Sequence, residues 1–205
     1  FEVRTERGVL AIREWIERLD PDVIGLQEVL RGPGIDQLAE LVGERWPHTE
    51  YVPAIELPER PGIGFGNAIA SRWPIAARHP LQLPDRGDWE QRVAASVEIE
   101  APFARIWVSC THLHWRFAHG STRERQVVAI ADQVEQLWSA DGFPPILLGD
   151  FNAEPESDEI RYLKGMHSIG GRSVAFLDAW AAAGRGRWAT AVDEQPGITW
   201  CNRNP

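Results

Sequence analysis

The apolar positions of the chain follow helical spacing in some stretches and strand spacing in others. Apolar residues from Val9 to Leu19 recur every three or four positions, which predicts a helix that ends before Pro21. A similar pattern from Leu38 to Trp46 predicts a second helix. Short apolar or alternating runs predict strands at 23–26, 51–55, 67–71, 93–99, 105–111 and 146–148.

The second half of the chain contains further helical signals. Ser121 and Glu124 form a predicted capping box, and a long helix with an apolar face from Val127 to Trp138 follows it. A short helix is predicted to open at Ser157, and another spans 173–183. Helices alternate with some strands, while other strands are paired without a helix between them. This mixture predicts an α/β fold of two packed sheets with helices outside.

Three of the predicted strands end in polar residues. The first leads into Glu28, a later one into His112, and the run Ile146–Leu148 into Asp150 and Asn152. The last run is short and wholly apolar, which is typical of a strand buried on both faces. A carboxylate at the tip of such a strand is costly to bury without a metal or hydrogen bonds. If these strands share a sandwich, their C-terminal ends converge on one rim.

The side chains at these strand ends suit one kind of chemistry. Carboxylate and amide oxygens are hard ligands that favour Mg²⁺ or Mn²⁺ over zinc or copper. A neighbouring histidine can donate to an anionic phosphoryl oxygen. The set therefore points to metal-assisted hydrolysis of a phosphate ester.

Each of these residues also has a simpler structural interpretation. Glu28 fits a solvent-facing residue or a cap just past a strand. Asp150 and Asn152 fit an Asx-type turn, which is compatible with a catalytic role because a turn fixes the side chains. His112 fits a buried, hydrogen-bonded core histidine.

Composition bounds the class of protein. A length of 205 residues fits one domain with a sizeable core, and no apolar run reaches the roughly 20 residues that cross a bilayer, so we expect a soluble protein. The formal net charge of −9 argues against a broadly basic nucleic-acid surface. Cys110 and Cys201 lack metal or redox spacing, and Cys110 is predicted to be a buried thiol.

Four segments occur in an order that matches a known family. They are DPDVIGLQEV at 21–30, GNAIASRWPI at 66–75, SCTHLHW at 109–115 and ILLGDFNAEP at 146–155. On these motifs the chain resembles the endonuclease/exonuclease/phosphatase superfamily of DNase I-like metal-dependent phosphoesterases. The resemblance implies a four-layered α/β sandwich with two packed mixed β-sheets and a site at one end of them.

The resemblance also implies roles for the four main candidates. Glu28 is the expected principal metal ligand, for Mg²⁺ or Mn²⁺. Asp150 is expected to bind metal or orient the attacking water, and Asn152 to hold a phosphoryl oxygen. His112 is expected to contact the scissile phosphate and to stabilise charge in the transition state.

Three further residues are weaker candidates for supporting this site. Asn67 follows a glycine at a point where the family often has Gly-Asn. His114 lies two residues after His112 and would share its strand face if the strand continued. Arg92 fits either a solvated residue before a strand or a phosphate contact. The glycines at 62–66 are not followed by Gly-Lys-Ser/Thr, so they do not predict a nucleotide P-loop.

The two ends of the chain lack motifs that the family carries. Its first strand, and its last strands with an aspartate and a Ser-Asp-His motif, have no counterpart here. We therefore expect residues 1–205 to be a single domain lacking those strands, within a longer native protein. The family's general base lies in the missing motif, so little turnover is expected from this segment alone.

The sequence predicts a phosphodiester substrate, which could be nucleic acid or a small or lipid phosphodiester. A phosphomonoesterase and a non-catalytic binding scaffold of the same family are the alternatives. Neither a basic stripe nor an exposed amphipathic helix indicates the identity of the phosphate ester. The sequence assigns no oligomeric state, and no compartment because the true N-terminus is expected to lie upstream.

Overall fold

The computed structural model describes residues 6–87 and 89–183. The helices in this part of the chain are α1 (Glu6–Leu19), α2 (Gln37–Val42), α3 (Gly120–Leu137), α4 (Asp158–Leu163) and α5 (Ala179–Ala183), with 3₁₀ turns at Gly43–Arg45 and Phe117–His119. The strands are β1 (Val23–Gly32), β2 (Ile35–Asp36), β3 (His48–Glu56), β4 (Gly64–Ser71), β5 (Ile75–Arg78), β6 (Leu81–Gln82), β7 (Val93–Ala101), β8 (Ala104–His112) and β9 (Ile146–Asp150).

The first sheet has the strand order β2-β1-β4-β3, and its described strands are all antiparallel. Helices α1 and α2 cover its outer face. Ile16 of α1 and Leu38 of α2 are buried there with Trp46, against Ala68 and Ala70 of β4. The amphipathic spacing of α1 therefore serves to bury one face of the helix on this sheet.

The second sheet has the order β5-β7-β8-β9, and β6 also pairs with β7. Only β8 and β9 pair in parallel among its described strands, so this sheet is mixed. Helices α3 and α4 cover its outer face, where Val127 and Ile130 of α3 pack with Tyr162 of α4 and Leu113. The helix α3 connects the two parallel strands as a crossover.

The inner faces of the two sheets form the central core. Val97, Val108 and Cys110 of the second sheet are fully or almost fully buried against Ile69 of the first. The two sheets approach closely at Gly25, where an added Cβ would lie 1.9 Å from Cδ1 of Leu148. Helix, sheet, sheet and helix form the four layers, so the predicted α/β sandwich is confirmed.

Two predicted details differ in the structure. Helix α3 begins at Gly120 after His119 and has no side-chain cap, so the Ser121–Glu124 capping box is wrong. Residues 173–178 are not helical, and α5 covers only 179–183 of the predicted helix. Cys201 lies outside the described residues. None of the described helices combines the length and apolar character that crossing a membrane requires.

Strand β9 is less buried than its sequence predicted. Within the described residues it pairs only with β8, and Ile146 at its start is 41% exposed. The prediction of a strand buried on both faces holds in part. Leu147 packs against the outer cluster and Leu148 against the central one, both partly buried, while the last residue, Asp150, is exposed to solvent.

Candidate active site

The parallel pairing of β8 and β9 places His112 and Asp150 opposite each other at the ends of their strands. Their Cα atoms are in register, and His112 Nε2 lies 3.9 Å from Asp150 Oδ2. Gly149 makes this close pairing possible. It has φ +144°, and a Cβ at this position would lie 2.0 Å from the carbonyl oxygen of Thr111. Any larger residue would push β9 away from β8 and separate the two polar side chains.

A buried arginine sets the state of His112. Arg92 Nη1 lies 3.1 Å from Nδ1 of His112, and both residues are buried. A guanidinium can only donate, so Nδ1 accepts and the ring proton is on Nε2. The pKa of His112 is lowered to about 4, mainly by burial and to a smaller extent by the positive charge of Arg92. The negative charge of Asp150 acts in the opposite direction and raises it. The imidazole is therefore neutral near pH 7 and has an N–H on the side of Asp150. The solvated interpretation of Arg92 is wrong.

Asp150 and Asn152 form the predicted Asx-type turn. Asp150 Oδ1 accepts from the backbone N–H of Asn152 at 2.9 Å, and Asn152 has φ +46°. The side-chain amide of Asn152 donates from Nδ2 to the carbonyl of Leu113 at 3.0 Å, so it joins the two loops that follow β8 and β9. The Asp150 side chain remains 53% exposed. The turn holds one carboxylate oxygen and leaves the carboxylate as a whole accessible to solvent.

Asn67 supports this arrangement from the other sheet. It lies in β4, is buried, and donates from Nδ2 to the carbonyl of Val93 at 2.9 Å. Thr111 donates from Oγ1 to the same carbonyl at 3.3 Å. Val93 directly follows Arg92, so these two side chains fix the backbone that carries the guanidinium to His112.

Glu28 does not end a strand, contrary to the sequence prediction. Strand β1 continues to Gly32, and its pairing with β4 shifts between Leu26 and Val29. Glu28 lies in this bulge with φ +61°, a left-handed conformation that is unusual for a glutamate. Next to it, Gln27 donates from Nε2 to Cys110 Sγ across the sandwich at 3.1 Å. Among the described residues no hydrogen bond joins Glu28 to His112 or Asp150.

The carboxylates of this region suit a hard divalent cation. Within the described residues no three His, Cys, Asp or Glu side chains converge on a ready-made metal cage. Mg²⁺ is commonly held by one or two carboxylates, with water and substrate phosphate oxygens completing its shell. Glu28 and the half-exposed Asp150 match that donor chemistry.

His114 does not share the face of His112, because β8 ends at His112. It is fully buried in a separate polar cluster. Its Nδ1 accepts from the backbone N–H of Arg116 at 3.2 Å, and its Nε2 lies 3.2 Å from Nδ1 of His119 and 3.8 Å from Oε2 of Glu90. The structure thus assigns His114 to the loop after β8, where its ring contacts His119 and lies near Glu90.

The sequence did not predict a buried ion pair beneath this loop. Arg123 of α3 and Glu159 of α4 form it, and both are at least 95% buried. Glu159 also lies in the first turn of α4, where a carboxylate complements the helix dipole. Arg123 lies four residues before Val127, on the predicted apolar face of the helix. A charged residue at such a position is a signal for a buried partner.

These features coincide with a match to a known family over almost the whole chain. Residues 3–199 match the Endonuclease/Exonuclease/phosphatase family, and the chain belongs to it. The resemblance drawn from the four sequence motifs is therefore confirmed. No curated protein sequence matches the chain significantly.

Solved structures with the same fold support this assignment. An endonuclease/exonuclease/phosphatase from Beutenbergia cavernae is 28% identical, with a TM-score of 0.60 over 72% of this chain and 42% of that protein. The human Nocturnin catalytic domain is 19% identical, with a TM-score of 0.63 over 78% of this chain and 62% of that one. Sphingomyelinase C from Streptomyces griseocarneus is 22% identical, with a TM-score of 0.57 over 74% and 60%. The chain thus spans about two fifths to three fifths of the length of these structures.

Proposed function

We propose that the protein is a divalent-metal-dependent phosphoesterase that hydrolyses a phosphodiester by in-line attack of water. One observation supports this most strongly: the neutral His112, with its proton on Nε2, lies 3.9 Å from the carboxylate of Asp150. This separation is too long for a direct hydrogen bond and allows one small group to contact both side chains. A water molecule is such a group, and a phosphoryl oxygen beside it can accept from Nε2 of His112.

The two side chains have complementary roles in this proposal. His112 donates from Nε2 to a phosphoryl oxygen, and the bond strengthens as negative charge develops there. The Asp150 carboxylate accepts a hydrogen bond from the attacking water and orients it towards phosphorus. Arg92 holds the imidazole in the donating tautomer, and it adds positive charge behind it. Asn152 fixes the turn that carries Asp150 and is also proposed to contact a phosphoryl oxygen.

Glu28 and Asp150 are proposed to hold Mg²⁺ or Mn²⁺. Such an ion, when bound, supplies Lewis-acid stabilisation of charge on the phosphoryl oxygens. The bulge at Glu28 supports a specific role for this carboxylate, because a left-handed glutamate costs roughly 1–2 kcal/mol relative to ordinary backbone. A site function explains why the chain has a glutamate at a position that glycine would occupy without strain.

The test is hydrolysis of bis-p-nitrophenyl phosphate and p-nitrophenyl phosphate by the full-length protein with Mg²⁺ or Mn²⁺, with and without a chelator. We expect metal-dependent turnover that is greater for the diester and is lost in Glu28→Ala and Asp150→Ala. Asp158→Ala, which removes an exposed carboxylate of α4, is the matched control and should retain activity.

Two other results would replace the proposal. Turnover of the monoester alone would make the protein a phosphomonoesterase of the same fold. If neither ester is hydrolysed and calorimetry detects no metal binding, the protein is a non-catalytic scaffold of the family.

A further inference from the structure

The loop after His112 displays aromatic and basic side chains in alternation. Trp115, Arg116 and Phe117 are consecutive and exposed, with 49% of Trp115 and 67% of Phe117 accessible to solvent. Trp89, in the loop that leads to Arg92, is 61% exposed. Aromatic rings interleaved with cations are used by proteins to stack planar groups and to hold nearby phosphates.

The indole of Trp115 has a fixed orientation. Its Nε1 donates to Oε2 of Glu90 at 2.6 Å, and Glu90 is buried. The guanidinium carbon of Arg116 lies 5.1 Å from the centroid of the same indole. Since the polar edge of Trp115 is bonded inside the protein, the part that faces solvent is the apolar ring.

The backbone of this loop is also held from below. The buried guanidinium of Arg123 donates to the carbonyl of Arg116 at 2.7 Å, and to those of His114 and Phe117 at 3.3 and 3.4 Å. Arg123 is in turn bonded to Glu159. A loop anchored in this way presents its exposed rings with little entropy left to lose when a ligand binds.

The loop lies within reach of the proposed phosphate site. Strands β7 and β8 pair Ala94 with Thr111, and the contact of Glu90 with Trp115 continues the same register beyond the strand ends. Two residues lie between His112 and Trp115, so their Cα atoms are at most roughly 11 Å apart. A group esterified to a phosphate at His112 can therefore contact the indole.

We infer that Trp115 is the stacking platform of a specificity subsite for a planar ring, which favours nucleotide-type phosphate esters as substrates. The inference rests on the proposed function, because that function places the phosphate between His112 and Asp150. A lipid surface fits less well. Arg116 lies between the two aromatic residues of the loop in sequence, and its guanidinium lies 5.1 Å from the centroid of the Trp115 indole, so a cation accompanies the exposed rings.

The experiment compares adenosine 5′-monophosphate with ribose 5-phosphate as inhibitors of bis-p-nitrophenyl phosphate hydrolysis. The two compounds share a phosphate and a sugar and differ in the base. For the unmodified protein we expect the nucleotide to bind roughly 5- to 150-fold more tightly, the range expected for one stacked base. Trp115→Ala should reduce this ratio to about one, and Trp115→Phe should retain most of it. Trp138→Ala, at the end of α3, should leave the ratio unchanged.

The outcomes separate the two proposals. Turnover with equal inhibition by both compounds overturns the subsite and leaves the phosphoesterase intact. Equal loss in Trp115→Ala and Trp115→Phe would also overturn it, because the N–H bond to Glu90 and not the ring would then matter. Hydrolysis of phosphatidylcholine vesicles that depends on Trp115 would replace it with a lipid site. If no ester is hydrolysed, calorimetric titration of both compounds tests the subsite alone, and equal or absent binding overturns it.

Discussion

Arg92 Nη1 contacts Nδ1 of His112 at 3.1 Å, and this contact determines which ring nitrogen of His112 has the proton. Because arginine has no acceptor, the imidazole must present its N–H from Nε2, towards Asp150. Arg92, which lies in a loop, thus sets the tautomer of His112 at the end of β8. Asn67 and Thr111, which bind the carbonyl of Val93, extend the same support to the first sheet and to β8.

Substitution of Arg92 by methionine should lower kcat for the diester by roughly 10- to 100-fold, the range found when a residue that orients a catalytic group is removed. The imidazole would then be free to adopt the other tautomer, while the contacts that bind substrate remain, so KM should change little. Steady-state kinetics measure both constants. Arg125→Met, which removes an exposed arginine of α3, is the control. A raised KM with unchanged kcat would instead assign Arg92 to substrate binding.

The depressed pKa of His112 predicts a pH dependence of stability. Its pKa is about 4 in the fold, compared with 6.5 for the unperturbed group, so the unfolded chain takes up the proton first as the pH falls. The contribution of the neutral His112 to the free energy of unfolding is fully present above about pH 6.5. As the pH falls from there towards 4, the free energy of unfolding declines by about 1.4 kcal/mol per pH unit. Urea unfolding at several pH values measures this.

His112→Asn provides the comparison, because asparagine does not titrate. The free energy of unfolding of the wild-type protein should fall faster than that of the variant between pH 6.5 and 4. If the two curves of unfolding free energy against pH are parallel, His112 accepts its proton at an ordinary pKa. The description of its imidazole as buried and neutral would then be wrong.

Gly149→Ala should disrupt the pairing that brings Asp150 to His112. The new Cβ would meet the Thr111 carbonyl at 2.0 Å at a φ of +144°, and both the contact and the conformation are unfavourable. We expect a loss of more than about 1–3 kcal/mol of unfolding free energy, together with most of the activity. Gly170→Ala is a matched control, since that glycine has φ +58° with nothing within 4 Å of an added Cβ. Equal costs for the two variants would contradict the steric explanation.

Replacement of one partner of the buried Arg123–Glu159 ion pair should strongly lower the free energy of unfolding. Arg123→Met leaves a carboxylate in the core without its partner, so we expect a loss of about 3–5 kcal/mol in urea unfolding. Combining it with Glu159→Gln should recover part of that loss, because the unpaired charge is removed. Arg161→Met breaks an exposed pair with Asp158 on α4 and should cost at most about 1 kcal/mol. Similar losses for the two arginine variants would show that the Arg123 pair is hydrated.

The sequence was sufficient to locate the parts of the site that depend on local signals. An apolar run followed by polar residues placed His112 and Asp150 correctly at strand ends, and the spacing of Asp150 and Asn152 predicted their turn. The layered fold followed from the alternation of helical and strand patterns together with the family motifs. Each of these signals lies within about ten residues of the chain.

The features that the sequence did not reveal depend on partners distant along the chain. The bulge at Glu28 arises from pairing with β4, some forty residues away in sequence. The burial of Arg92 depends on the loop that folds it against His112, and Glu159 is buried because Arg123 lies 36 residues before it. Periodicity describes which face of an element is apolar, but it does not identify the polar groups that meet inside the fold.

The left-handed backbone conformation of Glu28 predicts that a substitution there changes stability and activity in different ways. Glycine adopts a φ of +61° without the steric cost that glutamate has, although it gives up more backbone entropy on folding. Glu28→Gly should therefore have unchanged unfolding free energy or gain up to about 1 kcal/mol. It should nevertheless lose metal-dependent turnover, because no carboxylate remains.

Glu28→Gln is the companion variant: it keeps the side-chain size and the strain, and should lose turnover without any gain in stability. Urea unfolding and diester hydrolysis on the same preparations measure both quantities. Destabilisation by glycine would show that the Glu28 side chain supports the fold, and retained turnover in both variants would remove Glu28 from the proposed metal site.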